Sequence, residues 1–551
     1  MGEAASKAWG AARPPGARLL LGAAFLLWGA ATLLRLAHFE DCAGLSYDDA
    51  AYATSGRELL EEGHGYWGDC WRPFASWWVA ALHAIRGVDV ANVGLAFTLL
   101  RSFGELWLIL AARWFFPASA WAPLGVAAVS VGSFLGVNYG RQHLSSLLFT
   151  IPLALLAYGN FLRRGGWARW AMCGFAAGLV FLSHFNTIGA LLLMLVLEGL
   201  RRGAMERKAS AAFGSALIGG GVAYLTVGTL GLLSYGGNWK RYFKLVGNHM
   251  TENQVRGEGI HWAGLDPSLP AFASWEGALF FLYFAALAWG IGRVVAGGED
   301  RQRLMAIAAL PLLGGGLVVA RAAVGMLSFP RLYVFALPFL WLLAGGFLGR
   351  AADRLAAPNR TGRAWGIAGF ALFAPLLILS GHLNLAARTA TGNAALGRWL
   401  KARPSDKMAV YFGTPHLPAV FFGWRSQPPA DTREQSDQFW ISGGSTQAGH
   451  VPAALADPAR RVYLDRPDLT NVCDLIVLHK PSRRVLARVE EALRRAAPNA
   501  SATNFYDGTL FDLPLAADAG GALASAPCLP NVLDGPLPLI RAWDLRGTRR
   551  R

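Results

Sequence analysis

Apolar runs of about 20 residues, long enough to cross a hydrocarbon core as a helix, recur along the first two-thirds of the chain. The first, 18–38, follows Lys7, Arg13 and Arg18. It is too long for a signal-peptide core and lacks a small-x-small cleavage site, so it reads as an uncleaved anchor. Further runs occupy 92–116, 118–138, 144–162, 167–185, 187–200, 210–234, 272–296, 304–326, 331–349 and 364–383. Together they predict about eleven spans, of which 187–200 is short. After residue 385 the pattern changes. Short β-like pieces at 407–412, 462–464 and 474–479 alternate with helical ones, and Val485, Leu486, Val489 and Leu493 recur at helical spacing. The expectation is an α-helical polytopic membrane domain over 1–385, followed by a small α/β domain over 386–551.

Charge sets the expected orientation. With the N-terminus cytoplasmic, the loops on that side carry Arg163, Arg164 and Arg169; Arg201, Arg202, Arg207 and Lys208; Arg293, Arg301 and Arg303; and Arg350, Arg354, Arg360 and Arg363. The short opposite loops near 139–143 and 184–187 hold only Arg141. This is the positive-inside pattern of a plasma-membrane protein. It puts 39–91, 235–271 and the domain after 385 outside.

Composition agrees. Of 551 residues, 54% are hydrophobic and 16% charged, against about 25% charged in soluble domains. The formal charge is +16, but the basic residues flank apolar runs. With no zinc-finger spacing and no base-stacking module, nucleic acid is set aside as a partner. The Cys42/Cys70 and Cys473/Cys528 pairs would face an oxidising compartment, either as disulfides or as free thiols.

The first outer loop holds the densest chemistry. Across 46–67, Ser46 can cap a helix with an acidic first turn, and Gly63 can end it. Tyr52, Ser55, Gly56 and Leu59 share a face, which suits a helix lying along the membrane surface. Asp48 and Tyr52, four apart, project from one side. On spacing alone, Asp48 and Asp49 fit two roles equally: complements to the helix dipole or acids for proton transfer.

The order Asp48-Asp49-Ala50-Ala51-Tyr52, Arg57-Glu58-Leu59-Leu60 and Gly63-His64-Gly65-Tyr66 resembles the first periplasmic loop of GT-C-type membrane glycosyltransferases. It is most similar to glycosyltransferase family 39, the protein O-mannosyltransferases and lipid A aminoarabinose transferases. That family follows the loop helix with a Lys-Pro-Pro-type segment; Arg72-Pro73-Phe74 stands there, before Ala75-Ser76-Trp77-Trp78. Arg101 matches a basic residue in the next span. Trp239-Lys240-Arg241-Tyr242-Phe243 ahead of His249, and Phe329-Pro330-Arg331-Leu332-Tyr333 ahead of Leu337-Pro338, resemble later motifs. The resemblance covers about 18–385. Departures are Asp49 for the usual Glu, Phe74 for the second Pro, and Trp71 for an acid, with Asp69 nearby.

The resemblance implies a polyprenyl-phosphate-linked sugar as donor, inversion at the anomeric carbon, and a lipid, glycan or protein acceptor, with membrane lipids around. Asp48 is then the general base, with Asp49 beside it. Arg72, Arg331 and Arg57 are candidates to hold the departing phosphate, where fixed charge contributes most. Tyr52 and Tyr333 are candidates to donate hydrogen bonds to phosphate or sugar. Arg72 and Arg57 read equally as lipid-headgroup contacts, Arg331 as a positive residue at a span end, and the tyrosines as interfacial belt residues. The one cofactor the pattern admits is a divalent metal, with His249 joining Asp69 or Asp49. A transporter or flippase, or an inactive sugar-lipid-binding protein, are the competing readings. Charges inside the spans read as scarce, Glu105 four residues from Arg101 being the main exception, and this weighs against a transporter.

Overall fold

The computed structural model describes residues 16–37, 39, 55–61, 63, 73–89, 91–140, 143–184, 209–234, 236–238, 240, 276–297, 303–305, 307–308, 312, 330–355, 396, 399, 402–403, 408–412, 439–442, 475–479, 483–500, 502–506 and 539–545. Its helices follow the apolar runs closely: α1 (Ala17–Ala37), α2 (Pro73–Arg86), α3 (Ala91–Phe115), α4 (Ala122–Gly132), α5 (Phe134–Tyr139), α6 (Ser145–Arg164), α7 (Trp167–Ser183), α8 (Ala209–Ser234), α9 (Ala278–Ala296) and α10 (Leu337–Leu355). A 3-10 turn, Pro330–Ala336, leads into α10. Among the described residues, six helices are long and apolar enough to cross a membrane, and the chain is a multi-pass integral membrane protein. The expected spans 187–200 and 364–383 lie outside the described residues, as do all of 304–326 but 304–305, 307–308 and 312, and Cys42, Cys70, Cys473 and Cys528.

One expected span is divided. The run 118–138 forms two helices, α4 and α5, broken at Ser133, whose backbone is extended (ψ 119°). Its hydroxyl accepts from the Gly136 N–H at 3.0 Å, so Ser133 caps the second piece. A hydropathy window cannot see such a cap, because one serine hardly changes its average.

One cluster of helix ends is basic, and α1 and α2 also end on basic residues, Arg35 and Arg86. Arg113, Arg163, Arg164, Arg293 and Arg354 fall in the last turns of α3, α6, α9 and α10. Arg163 and Arg164 lie over the Trp114 ring, and the Ala120 N–H donates to Asp353 at 3.3 Å, so three of these ends meet. The opposite end of the bundle carries α2 and the helical residues 55–61.

Within the bundle α3 runs along α6, α7 along α8, and α4 along α10. The α4–α10 contact is backbone on backbone: a Cβ on Gly345 would collide with the Val126 backbone. Such small-residue seams let membrane helices approach closely. Gly345→Ala is expected to cost about 1–3 kcal/mol, read as a lower unfolding temperature in detergent. Gly292→Ala on α9, where an added methyl meets nothing within 4 Å, should not lower it.

Beyond the helices, among the described residues, five strands form one mixed sheet in the order β2-β1-β3-β5-β4: β1 (Met408–Phe412), β2 (Phe439–Ser442), β3 (Leu475–His479), β4 (Ala502–Tyr506) and β5 (Leu539–Asp544). β1 is parallel to β2 and β3; β5 is antiparallel to β3 and β4. Helix α11 (Arg483–Ala496) buries Val489 and Leu493 with Leu478 and Trp543, and Glu490 pairs with Arg541. The expected pieces at 407–412 and 474–479 are β1 and β3. The piece at 462–464 lies outside the described residues.

Candidate functional site

Residues 55–61 are helical, and Gly63 follows with φ +74°, in keeping with the expected stop. This helix docks on α2. A Cβ on Gly56 would lie 2.9 Å from both the Ser76 carbonyl oxygen and the Val79 Cβ, so only glycine permits the approach. Ser55 and Gly56 are buried as their shared face implies, and Leu59 is half-buried. Glu58 is also buried. The spacing already placed it beside Ser55, and its charge masked that position.

Helix α2 itself is the aromatic stretch after Arg72. Pro73 opens it, where a missing N–H costs nothing. Phe74 and Trp78 pack around Phe149 of α6, and the Trp77 indole donates to Ser234 at the end of α8 at 2.7 Å. His83 is buried, its Nδ1 3.1 Å from the Asn92 amide, which also donates to the Gly87 carbonyl at 2.7 Å. Burial, then the Arg57 charge, lowers the His83 pKa to about 4. Native His83 is therefore neutral at pH 7, whereas the unfolded chain protonates it near its ordinary value. Its contribution to stability is complete above about pH 6.5 and is lost as pH falls toward 4, by about 3 kcal/mol at most. Unfolding temperatures measured between pH 7 and 4 should fall over this window, and His83→Gln should flatten the fall.

Of the candidate phosphate ligands, Arg57 pairs with Glu61 on its own helix at 2.8 Å, both side chains partly exposed. Tyr333 is buried in the 3-10 turn, which packs against α5, α6 and α10; the Arg331 backbone lies in the same turn. Asp48, Asp49, Tyr52, Asp69, Arg72 and His249 lie outside the described residues. Among the described residues no group of three or more His, Cys, Asp or Glu is placed to hold a metal ion.

The spans carry more charge than their sequence suggested. Glu105 receives two bonds from Arg35 of α1, at 2.7 and 3.0 Å, and one from Arg101 at 3.0 Å. Arg101 also lies 3.4 Å from the Ser130 carbonyl. The three residues are 1%, 8% and 2% exposed. Near them Glu276, just before α9, accepts from the Ser133 hydroxyl at 3.0 Å, the Leu135 N–H at 2.6 Å and the Tyr283 hydroxyl at 2.6 Å. Arg35, in the last turn of α1, and Glu276, just before α9, thus join the expected exception of Glu105 and Arg101 from the ends of their helices. Arg35 and Glu276 escaped notice because each sits at the edge of an apolar run, where it reads as a boundary.

This helical architecture, with its first-loop helix docked at one end, is a GT-C-type membrane fold. The solved structure of ArnT from Cupriavidus metallidurans bound to undecaprenyl phosphate is similar over 88% of this chain and 95% of its own, with a TM-score of 0.51 and 15% identity. The archaeal oligosaccharyltransferase AglB from Archaeoglobus fulgidus, in complex with an inhibitory peptide and a dolichol-phosphate, aligns over 89% of this chain and 75% of its own, with a TM-score of 0.47 and 13% identity. No family model matches the chain, and neither does any curated protein sequence.

Proposed function

We propose that this chain is a membrane glycosyltransferase that moves a sugar from a polyprenyl-phosphate carrier to an extracytoplasmic lipid, glycan or protein. The observation that carries the reading is the GT-C-type fold together with a first-loop helix docked on α2 at the end opposite the basic helix termini. Positive-inside charge supports an outside position for that loop. The ArnT structure was solved with undecaprenyl phosphate, which supports the carrier class.

In this reading Asp48 accepts the proton of the acceptor hydroxyl as its oxygen bonds to the anomeric carbon. The bond from that carbon to the carrier phosphate breaks on the opposite face, inverting the centre. Arg72 and Arg331 stabilise the departing phosphate, with Tyr52 and Tyr333 donating to phosphate or sugar. Arg57 can join them by exchanging its exposed and therefore weak pairing with Glu61. A divalent metal at His249 and Asp69 belongs to the same reading.

The test is binding of undecaprenyl phosphate by the purified protein, with Arg72→Ala as comparison. Saturable binding weakened about tenfold by the substitution is expected, as for loss of one charge-assisted contact. No binding at all would sink the carrier assignment.

One observation favours a transporter instead: a broken helix beside buried ionisable groups. It would be preferred if the protein moved the carrier across vesicles without sugar transfer.

A further inference from the structure

The break between α4 and α5 is held from elsewhere in the chain. Helix α5 has only six residues, so its own hydrogen bonds cannot define it. Two of its first N–H groups have partners outside the helix ladder: Gly136 bonds to Ser133, and Leu135 bonds to Glu276, 141 residues later in sequence. The second oxygen of Glu276 accepts from Tyr283 of α9, whose hydroxyl in turn accepts from the Trp341 indole of α10 at 3.2 Å. α5 also packs against the 3-10 turn that holds Arg331 and Tyr333. The Glu276 carboxyl thus joins α9 and α10 to a short half-helix, and the half-helix backs the turn with two candidate carrier contacts.

We infer that Glu276 is a positioning residue: it caps the half-helix α5 from a distant segment and so holds the 330–336 turn in place to receive a carrier phosphate. The capping half stands on the hydrogen bonds alone, and the carrier half rests on the proposed function.

The geometry makes a specific demand on the side chain. The oxygen bonded to Leu135 and Ser133 must accept. The other position bonds to a hydroxyl, which can accept or donate. Glutamine meets both requirements and alanine meets neither. Capping therefore requires the shape of the glutamate rather than its charge.

The experiment measures hydrogen exchange of the peptide covering 133–140 in the full-length protein, with undecaprenyl phosphate as binding probe. Glu276→Ala should speed exchange of that peptide about tenfold relative to the rest of the bundle and weaken probe binding about fivefold. Glu276→Gln should match the parent within about twofold in both. Tyr283→Phe, a milder change that keeps both bonds to α5, should give a smaller rise in the same peptide. It decides the matter should Glu276→Ala not fold, and no rise there would overturn the inference.

Three results would also overturn it: unchanged exchange in Glu276→Ala, a rise spread equally over α3 and α6, or Glu276→Gln as damaging as alanine. Altered exchange with parental probe affinity would overturn the carrier half. Expected exchange in a parent protein that binds no undecaprenyl phosphate would remove the proposed function and leave the capping intact.

Discussion

Glu105→Ala will unfold the purified protein well below the parent temperature, at a cost of about 3–5 kcal/mol. Glu105 is the shared partner of Arg35 and Arg101, and all three side chains are almost wholly withdrawn from solvent. Truncating the acid leaves two guanidinium groups facing each other without it, in surroundings that screen poorly. Glu105→Gln keeps an acceptor and should fall between the two. Replacing all three by apolar residues of similar volume, Arg35→Met, Glu105→Leu and Arg101→Met, should recover much of the loss, because the groups that need pairing are then gone. Thermal unfolding in detergent measures the series. A Glu105→Ala protein as stable as the parent would mean the cluster is solvated rather than buried.

Asp48→Asn should abolish sugar transfer, lowering turnover by about 10²–10⁴-fold, while folding and undecaprenyl-phosphate binding persist. The amide is close in size to the acid but cannot take the acceptor proton. On the proposed mechanism Asp49→Asn should cost less, its charge acting on Asp48 rather than receiving the proton. The readout is transfer by membranes from cells making each variant, normalised to protein level. Parental turnover in Asp48→Asn would take the base role away from that residue.

The helical bundle was legible in the sequence because long apolar runs leave few alternatives in a bilayer. Ser133 shows the limit. Its effect comes from one hydroxyl and from Glu276, contributed by a segment 143 residues away, and no local window contains both. The end of the first-loop helix, residues 55–61, was legible from its face and stop signal, which Ser55, Gly56 and Gly63 carry; the expected start at Ser46 lies outside the described residues. Glu58, buried on the Ser55 side of the same helix, was not legible, because its charge masked the position. In the α/β domain β1 and β3 are almost wholly apolar, MAVYF and LIVLH, and so declare themselves. β5, LIRAWD, interrupts its apolar positions with Arg541, whose partner Glu490 lies on α11.

The pairing of Arg35 with Glu105 has a consequence for how the protein is made. The arginine leaves the ribosome 70 residues before the carboxylate that satisfies it. Until then it occupies the last turn of α1, from which a long side chain can reach the headgroups. The contact that withdraws Arg35 into the bundle therefore forms only after α3 has been made. A fusion that expresses α1 alone should still anchor in the membrane, with Arg35 held at the headgroups instead of at Glu105.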